Sequence, residues 1–231
     1  MKKLLSVMFL LISSFSYCFT SINPTIFDKR IDDGGAIKEY YVSNPTNSEI
    51  GYRIYVEPSD GPNDMSKWIE YYPTSLKLKA GETKKIKIFV ESPKDVKKGE
   101  YTAILGVKEI AIPMSLKSEN AGVSIYTDLK LEIAGFVGDL KPEIKISELN
   151  VENNRIKFSI KNIGKIRTKV EAYLESDGNE PLYLESFRLL QNKSKYFENK
   201  LDLKKYKKDV KLVIYDLENN KLYEQQIKNK F

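Results

Sequence analysis

The residue types that carry most acid–base and nucleophilic chemistry are missing from this chain. Its 231 residues include no histidine and one cysteine, Cys18. That removes Ser-His-Asp and Cys-His catalysis and the usual zinc ligation. Two carboxylates can run a hydrolysis unaided, but no acidic pair stands out from the charge around it. There is no P-loop, GxGxxG, HExxH or calcium-loop spacing. The expectation is a protein that is not an enzyme and uses no metal or cofactor.

The spacing that does stand out makes a surface. In VSIYTDLKLEI, residues 123–133, Val123, Ile125, Thr127, Leu129, Leu131 and Ile133 fall on one side. Ser124, Tyr126, Asp128, Lys130 and Glu132 fall on the other. Successive side chains on a strand point to opposite faces, so strict alternation marks a strand with one buried and one wet face. The run is about twice the ~5–6 residues of a common strand. Such a length of apolar edge exceeds what one small sandwich needs for itself.

The elements around this run read as strands throughout. Short β-branched and aromatic runs recur at intervals, separated by Gly, Pro, Asn and Asp, which is the pattern of an all-β sandwich. The first half offers PTIFDKRI, AIKEYYV, GYRIYVE, KWIEYY, TKKIKIFV, EYTAILGV and the 123–133 run. The second offers EIKISEL, RIKFSIK, TKVEAYLE, PLYLESFRL, KYFENKL, VKLVIYD and KLYEQQIK, the last two joined as a hairpin by Leu217–Asn220. Tyr101 reads either as a corner tyrosine or as a plain strand tyrosine. Trp68, the only tryptophan, reads as a core plug.

The N-terminus reads as a secretory signal over residues 1–18, with Lys2 and Lys3 before the apolar Leu4–Ile12 and Ser16-Tyr17-Cys18 as the cleavage site. Tyr17 is bulky where a lipoprotein signal prefers a small residue, which argues against lipidation of Cys18. The apolar stretch is shorter than the ~20 residues that span a bilayer. The expected mature chain is therefore exported, with no transmembrane segment. Its charge divides near Leu140: residues 19–140 carry 16 Lys+Arg against 18 Asp+Glu, and residues 141–231 carry 20 against 14. The lysine-rich LKKYKK at 203–208 reads as solvated surface, and no basic groove with interleaved aromatics suggests nucleic acid. The fold expectation is all-β: two immunoglobulin-like β-sandwich domains in tandem, at 19–140 and 141–231, after the signal peptide.

One stretch carries a resemblance. KWIEYYPTSLKLKAGETKKIKIFVESP (Lys67 to Pro93) followed by GEYTAILGV (Gly99 to Val107) resembles the first domain of the periplasmic pilus-assembly chaperones, the PapD-like family. The likeness covers residues 22–135 by motif and the second domain only by size and strand count. It implies a periplasmic chaperone for fimbrial subunits that acts by donor-strand complementation, with an outer-membrane usher as a further partner. The last strand of the first domain would enter a subunit that lacks a strand, offering Val123, Ile125, Thr127, Leu129 and Leu131 to its pockets. The family also anchors the subunit's carboxylate with basic residues on the first and last strands. Lys29, Arg30 and Lys130 are the candidates here. Three departures are visible: Lys29 and Arg30 fall near rather than on the family's first-strand position, Asp128 stands where the last-strand lysine aligns best, and Thr127 interrupts the apolar row. The alternative is a non-enzymatic envelope or cell-surface immunoglobulin-like binding protein, similar to the WxL-interacting modules, in which the 123–133 strand closes its own sandwich.

Overall fold

The computed structural model describes residues 20–61, 63–110, 125–152, 154–176, 178–200 and 210–227. The expected leader, Val123 and the 203–208 lysine run lie outside these residues. The described residues fall into two compact units, one drawn from Met1–Val96 with Tyr101–Val137 and the other from Lys97–Glu100 with Gly138–Phe231.

The first unit holds β1 (Ser21–Asn23), β2 (Asp28–Arg30), β3 (Ala36–Ser43), β4 (Ile50–Pro58), β5 (Ile69–Tyr72), β6 (Ser75–Leu78), β7 (Thr83–Val90), β8 (Gly99–Ile110) and β9 (Asp128–Val137). One sheet runs β1-β3-β7-β5 and the other β2-β9-β8-β4-β6. Lettered in the immunoglobulin manner, the first is ABED and β9-β8-β4 is GFC. Alternation explains the layering. In β7, Ile86, Ile88 and Val90 are buried while Lys85 and Lys87 are exposed. The core between the sheets gathers Phe27, Tyr40, Tyr52, Ile54, Leu105 and Ile133 among others. Trp68 is partly buried against it and tilts onto Tyr101, with ring centroids 4.7 Å apart.

The strand boundaries differ from the sequence reading in three places. Of PTIFDKRI (Pro24–Ile31) only Asp28–Arg30 is strand: β2 pairs parallel with β9, while β1, just before this run, pairs antiparallel with β3 in the other sheet. The chain changes sheets between them, with Phe27 and Ile31 buried on either side of β2. KWIEYY opens with a 3-10 turn at Ser66–Trp68, because Asp64 accepts from the Ser66 amide at 2.8 Å and its hydroxyl at 2.9 Å. β9 is described from Asp128 rather than Val123 and continues to Val137. Its alternation ends at Ile133, Ala134 and Gly135, all buried, where β2 flanks the strand.

The second unit holds β10 (Ile144–Glu152), β11 (Arg155–Asn162), β12 (Thr168–Glu175), β13 (Leu182–Leu189), β14 (Ser194–Lys200), β15 (Lys211–Asp216) and β16 (Lys221–Gln226). They form sheets β10-β11-β14 and β13-β12-β15-β16. Here every run read from the sequence is a strand. Phe158, Phe187 and Phe197 meet at the centre, with ring centroids 5.0 to 6.0 Å apart.

A buried asparagine closes the end of the second main strand in each unit. Asn44, just after β3, donates to the carbonyls of Ser48 at 2.7 Å, Leu78 at 3.1 Å and Lys79 at 3.1 Å, and its Oδ1 accepts from the Thr46 amide at 3.0 Å. Asn162, at the end of β11, donates to the carbonyls of Ile166 at 2.7 Å and Leu189 at 3.1 Å and accepts from the Gly164 amide at 2.9 Å. Both satisfy backbone groups that the turn would otherwise bury unpaired.

Candidate functional site

β9 carries Leu129 and Leu131 of the residues singled out by spacing, and Ile125 and Thr127 lie on the stretch that leads into it. Along this row burial falls toward the start of the strand and beyond it. Ile133 is fully buried, Leu131 and Leu129 are half-buried against the core, and Thr127 is half-buried. Ile125 is 80% exposed. The row is therefore rooted in this sandwich and runs out of it.

The opposite face is pinned flat. The Tyr55 hydroxyl donates to Asp128 at 2.7 Å, and Lys130 Nζ lies 2.6 Å from Glu57. Both contacts reach across β8, where Gly106 makes room. A Cβ on Gly106 would lie 2.1 Å from the Tyr55 ring. Burial, and then the bond to the Asp128 carboxylate, push the Tyr55 hydroxyl up to about 12. The Glu57 contact raises Lys130 above its ordinary value. These pins hold the polar face down and leave the apolar face to whatever lies along the edge.

That edge is open. β2 pairs with β9 only at Ala134, Gly135 and Phe136. The Ala134 amide donates to Phe27 at 2.8 Å, and the Phe136 carbonyl accepts from Ile31 at 3.0 Å. On the other side the Thr127 carbonyl accepts from the Glu109 amide at 2.8 Å. Even-numbered residues of β9 thus aim their backbone groups toward the β2 side, and odd-numbered ones toward β8. Because the chain leaves this sheet before Phe27 to form β1 in the other, no strand lies along residues 128–131 on that side among the described residues. An unpaired edge beside a half-exposed apolar row is the arrangement soluble proteins normally avoid.

The candidate carboxylate anchors do not come together. Lys29 pairs in register with Gly135, and Lys130 lies five residues earlier on β9, ~16 Å along the strand. Lys29 shares its parity with the buried Phe27 and Ile31, yet is itself exposed. Arg30 pairs with Asp32 at 2.6 Å, and Lys130 sits on the face away from the apolar row. Sequence reasoning missed Glu109 and Gly106, which hold the two faces of β9. Glu109 breaks the apolar alternation at the end of EYTAILGVKEI, and that break is its only signal.

Among the described residues, no cluster of His, Cys, Asp and Glu could hold a metal, and no helix is long and apolar enough to cross a membrane. The fold and edge define an all-β chain of two sandwiches with one open, apolar strand. Solved fimbrial chaperones are similar to it over about nine-tenths of its length. The class 5 fimbriae chaperone CfaA is 18% identical, covering 91% of this chain and 100% of its own, with a TM-score of 0.49. The Pseudomonas aeruginosa CupB2 chaperone is 9% identical, covering 90% and 100%, at 0.46. The Salmonella enterica SafA pilin–SafB chaperone complex matches at 14%, covering 90% and 95%, at 0.46. No family model and no curated protein matches the chain.

Proposed function

We propose that this protein is an exported, non-enzymatic chaperone for fimbrial subunits, working in the periplasm after removal of residues 1–18, and that it acts by lending β9 to an incomplete subunit. The observation that carries the reading is the open edge at residues 128–131 beside the row Ile125, Thr127, Leu129 and Leu131. A subunit lacking a strand would supply the missing ladder hydrogen bonds on that edge and pockets for the row. An outer-membrane usher that receives the loaded subunit is part of the same reading. Lys29, Arg30 and Lys130 are too dispersed to grip one carboxylate together, so the affinity rests on the strand.

The test compares folding with binding. Ile125→Asp should leave the melting temperature unchanged, because the side chain is 80% exposed. It should abolish co-purification of a co-expressed fimbrial subunit, since a charge in an apolar pocket costs several kcal/mol, roughly a hundredfold or more in affinity. Leu129→Asp should also abolish binding, with a modest fall in melting temperature. An Ile125→Asp protein that keeps its subunit would leave the envelope-binding module as the better account.

A further inference from the structure

The apolar row of β8 ends on a charge. Tyr101, Ala103, Leu105 and Val107 are buried on its inward face, and Glu109 follows them on the same side, half-buried. Its carboxylate is occupied from two directions. One oxygen accepts from the Thr127 amide at 3.0 Å. The other accepts from the Thr20 hydroxyl, which in turn lies 2.9 Å from the buried Tyr52 hydroxyl. With its proton given to Glu109, Thr20 receives the Tyr52 proton. The Glu109 amide also donates to the Thr127 carbonyl at 2.8 Å. One residue therefore grips both backbone groups of Thr127, the last polar member of the row before it leaves the sandwich at Ile125.

We propose that Glu109 is a positioning residue that sets where the apolar row stops serving this sandwich and starts serving a partner, a role that rests on the strand-donation reading. The reason is register. A strand that slips by one residue turns its whole side-chain set to the other face. Among the described residues, β9 has no strand on one side of residues 128–131 to hold its phase. Beside this edge, the carboxylate and amide of Glu109 fix Thr127, and Thr127 fixes the parity of Ile125. An apolar side chain at 109 would instead continue the core and draw the row inward.

Amide exchange of the full-length chain tests this without a partner. In Glu109→Ala, the Thr127 amide should exchange about tenfold faster, the effect of one lost hydrogen bond of ordinary strength. Amides of Ile86 and Ile88 should keep their wild-type rates. Glu109→Gln still offers an acceptor to Thr127 and should restore slow exchange. An unchanged Thr127 rate in Glu109→Ala, or an acceleration shared equally by Ile88, overturns the proposal. With the subunit that the wild-type chain retains, Glu109→Ala should weaken binding about tenfold, whereas Ile125→Asp abolishes it. Loss on Ile125→Asp with full affinity on Glu109→Ala removes the register role alone. Full affinity on Ile125→Asp removes the strand-donation reading.

Discussion

β9 and β16 are the last strands of the two sandwiches, and each lies beside the strand that precedes it in the chain. Their outer edges differ. β16 is six residues long, keeps only Leu222 and Tyr223 against its core, and presents Lys221, Glu224, Gln225 and Gln226 to solvent. Glu224 is tied to Lys211 at 2.9 Å and also pairs with Lys221. A short, charged edge strand is a standard defence against pairing with other chains. β9 also carries charges along residues 128–131, Asp128 and Lys130, but they alternate with the half-buried Leu129 and Leu131, and the row is more exposed at Ile125, just before the strand. The two last strands thus differ in the apolar row that accompanies the charges, not in the charges themselves.

The contrast can be broken most forcefully along β9 itself. Ile133→Asp buries a charge in the core and should unfold the first unit, a loss of several kcal/mol. Ile125→Ala, in the same alternating row just before that strand, should stay within ~0.5 kcal/mol of the wild type. Equal melting temperatures for the two variants would mean that the row is not graded as described.

The next effect concerns what the two sandwiches share. Asn44→Ala and Asn162→Ala each strand several buried backbone groups at matching turns. Each should cost about 2–4 kcal/mol in chemical denaturation, reading the penalty of an unsatisfied buried group as ~1–3 kcal/mol. If only one variant is destabilised, the equivalence of the two turns is wrong.

The smallest effect separates the two edges by pH. The lysines at Lys221 and Lys211 hold Glu224 down to about 2. A depressed carboxylate contributes stability in full above its ordinary value of 4.5, and that contribution fades as pH falls through about 2. Lys130 is raised from its ordinary 10.5, chiefly by the bond to Glu57. Its contribution is complete below that value and fades as pH climbs above it. Glu224→Gln should flatten the acid limb of the melting profile and, because Glu224 also raises Lys221, part of the alkaline limb, while Glu57→Gln should flatten the alkaline limb through Lys130. Both pairs are exposed, so both changes should shrink in high salt.

The second unit was legible almost strand for strand, because RIKFSIK, TKVEAYLE and VKLVIYD alternate cleanly and turn residues separate them. β6 escaped notice because SLKL is four residues long and sits directly behind β5. β1 also went unread, because Ser21–Asn23 is three residues long and lies just before PTIFDKRI, which reads as a single strand. The change of sheet between β1 and β2 leaves the start of β9 without a strand on its β2 side among the described residues. The apolar row of the candidate site was readable from parity alone. Its open edge was not, because an edge is a property of the neighbours a strand lacks. Glu109 appeared only as an interruption, and its partners Thr20 and Thr127 lie far from it in sequence.

The central claim is that the backbone edge of β9 at residues 128–131 is completed by a strand from another protein. The most direct measurement is amide exchange at Asp128 and Lys130, whose N–H groups aim toward the β2 side, before and after addition of a fimbrial subunit that lacks its own last strand. The account predicts fast exchange in the free protein and protection by a factor of roughly a hundred or more in the complex, the mark of new ladder hydrogen bonds. Amides already slow in the free protein, or unchanged by a bound subunit, would contradict it.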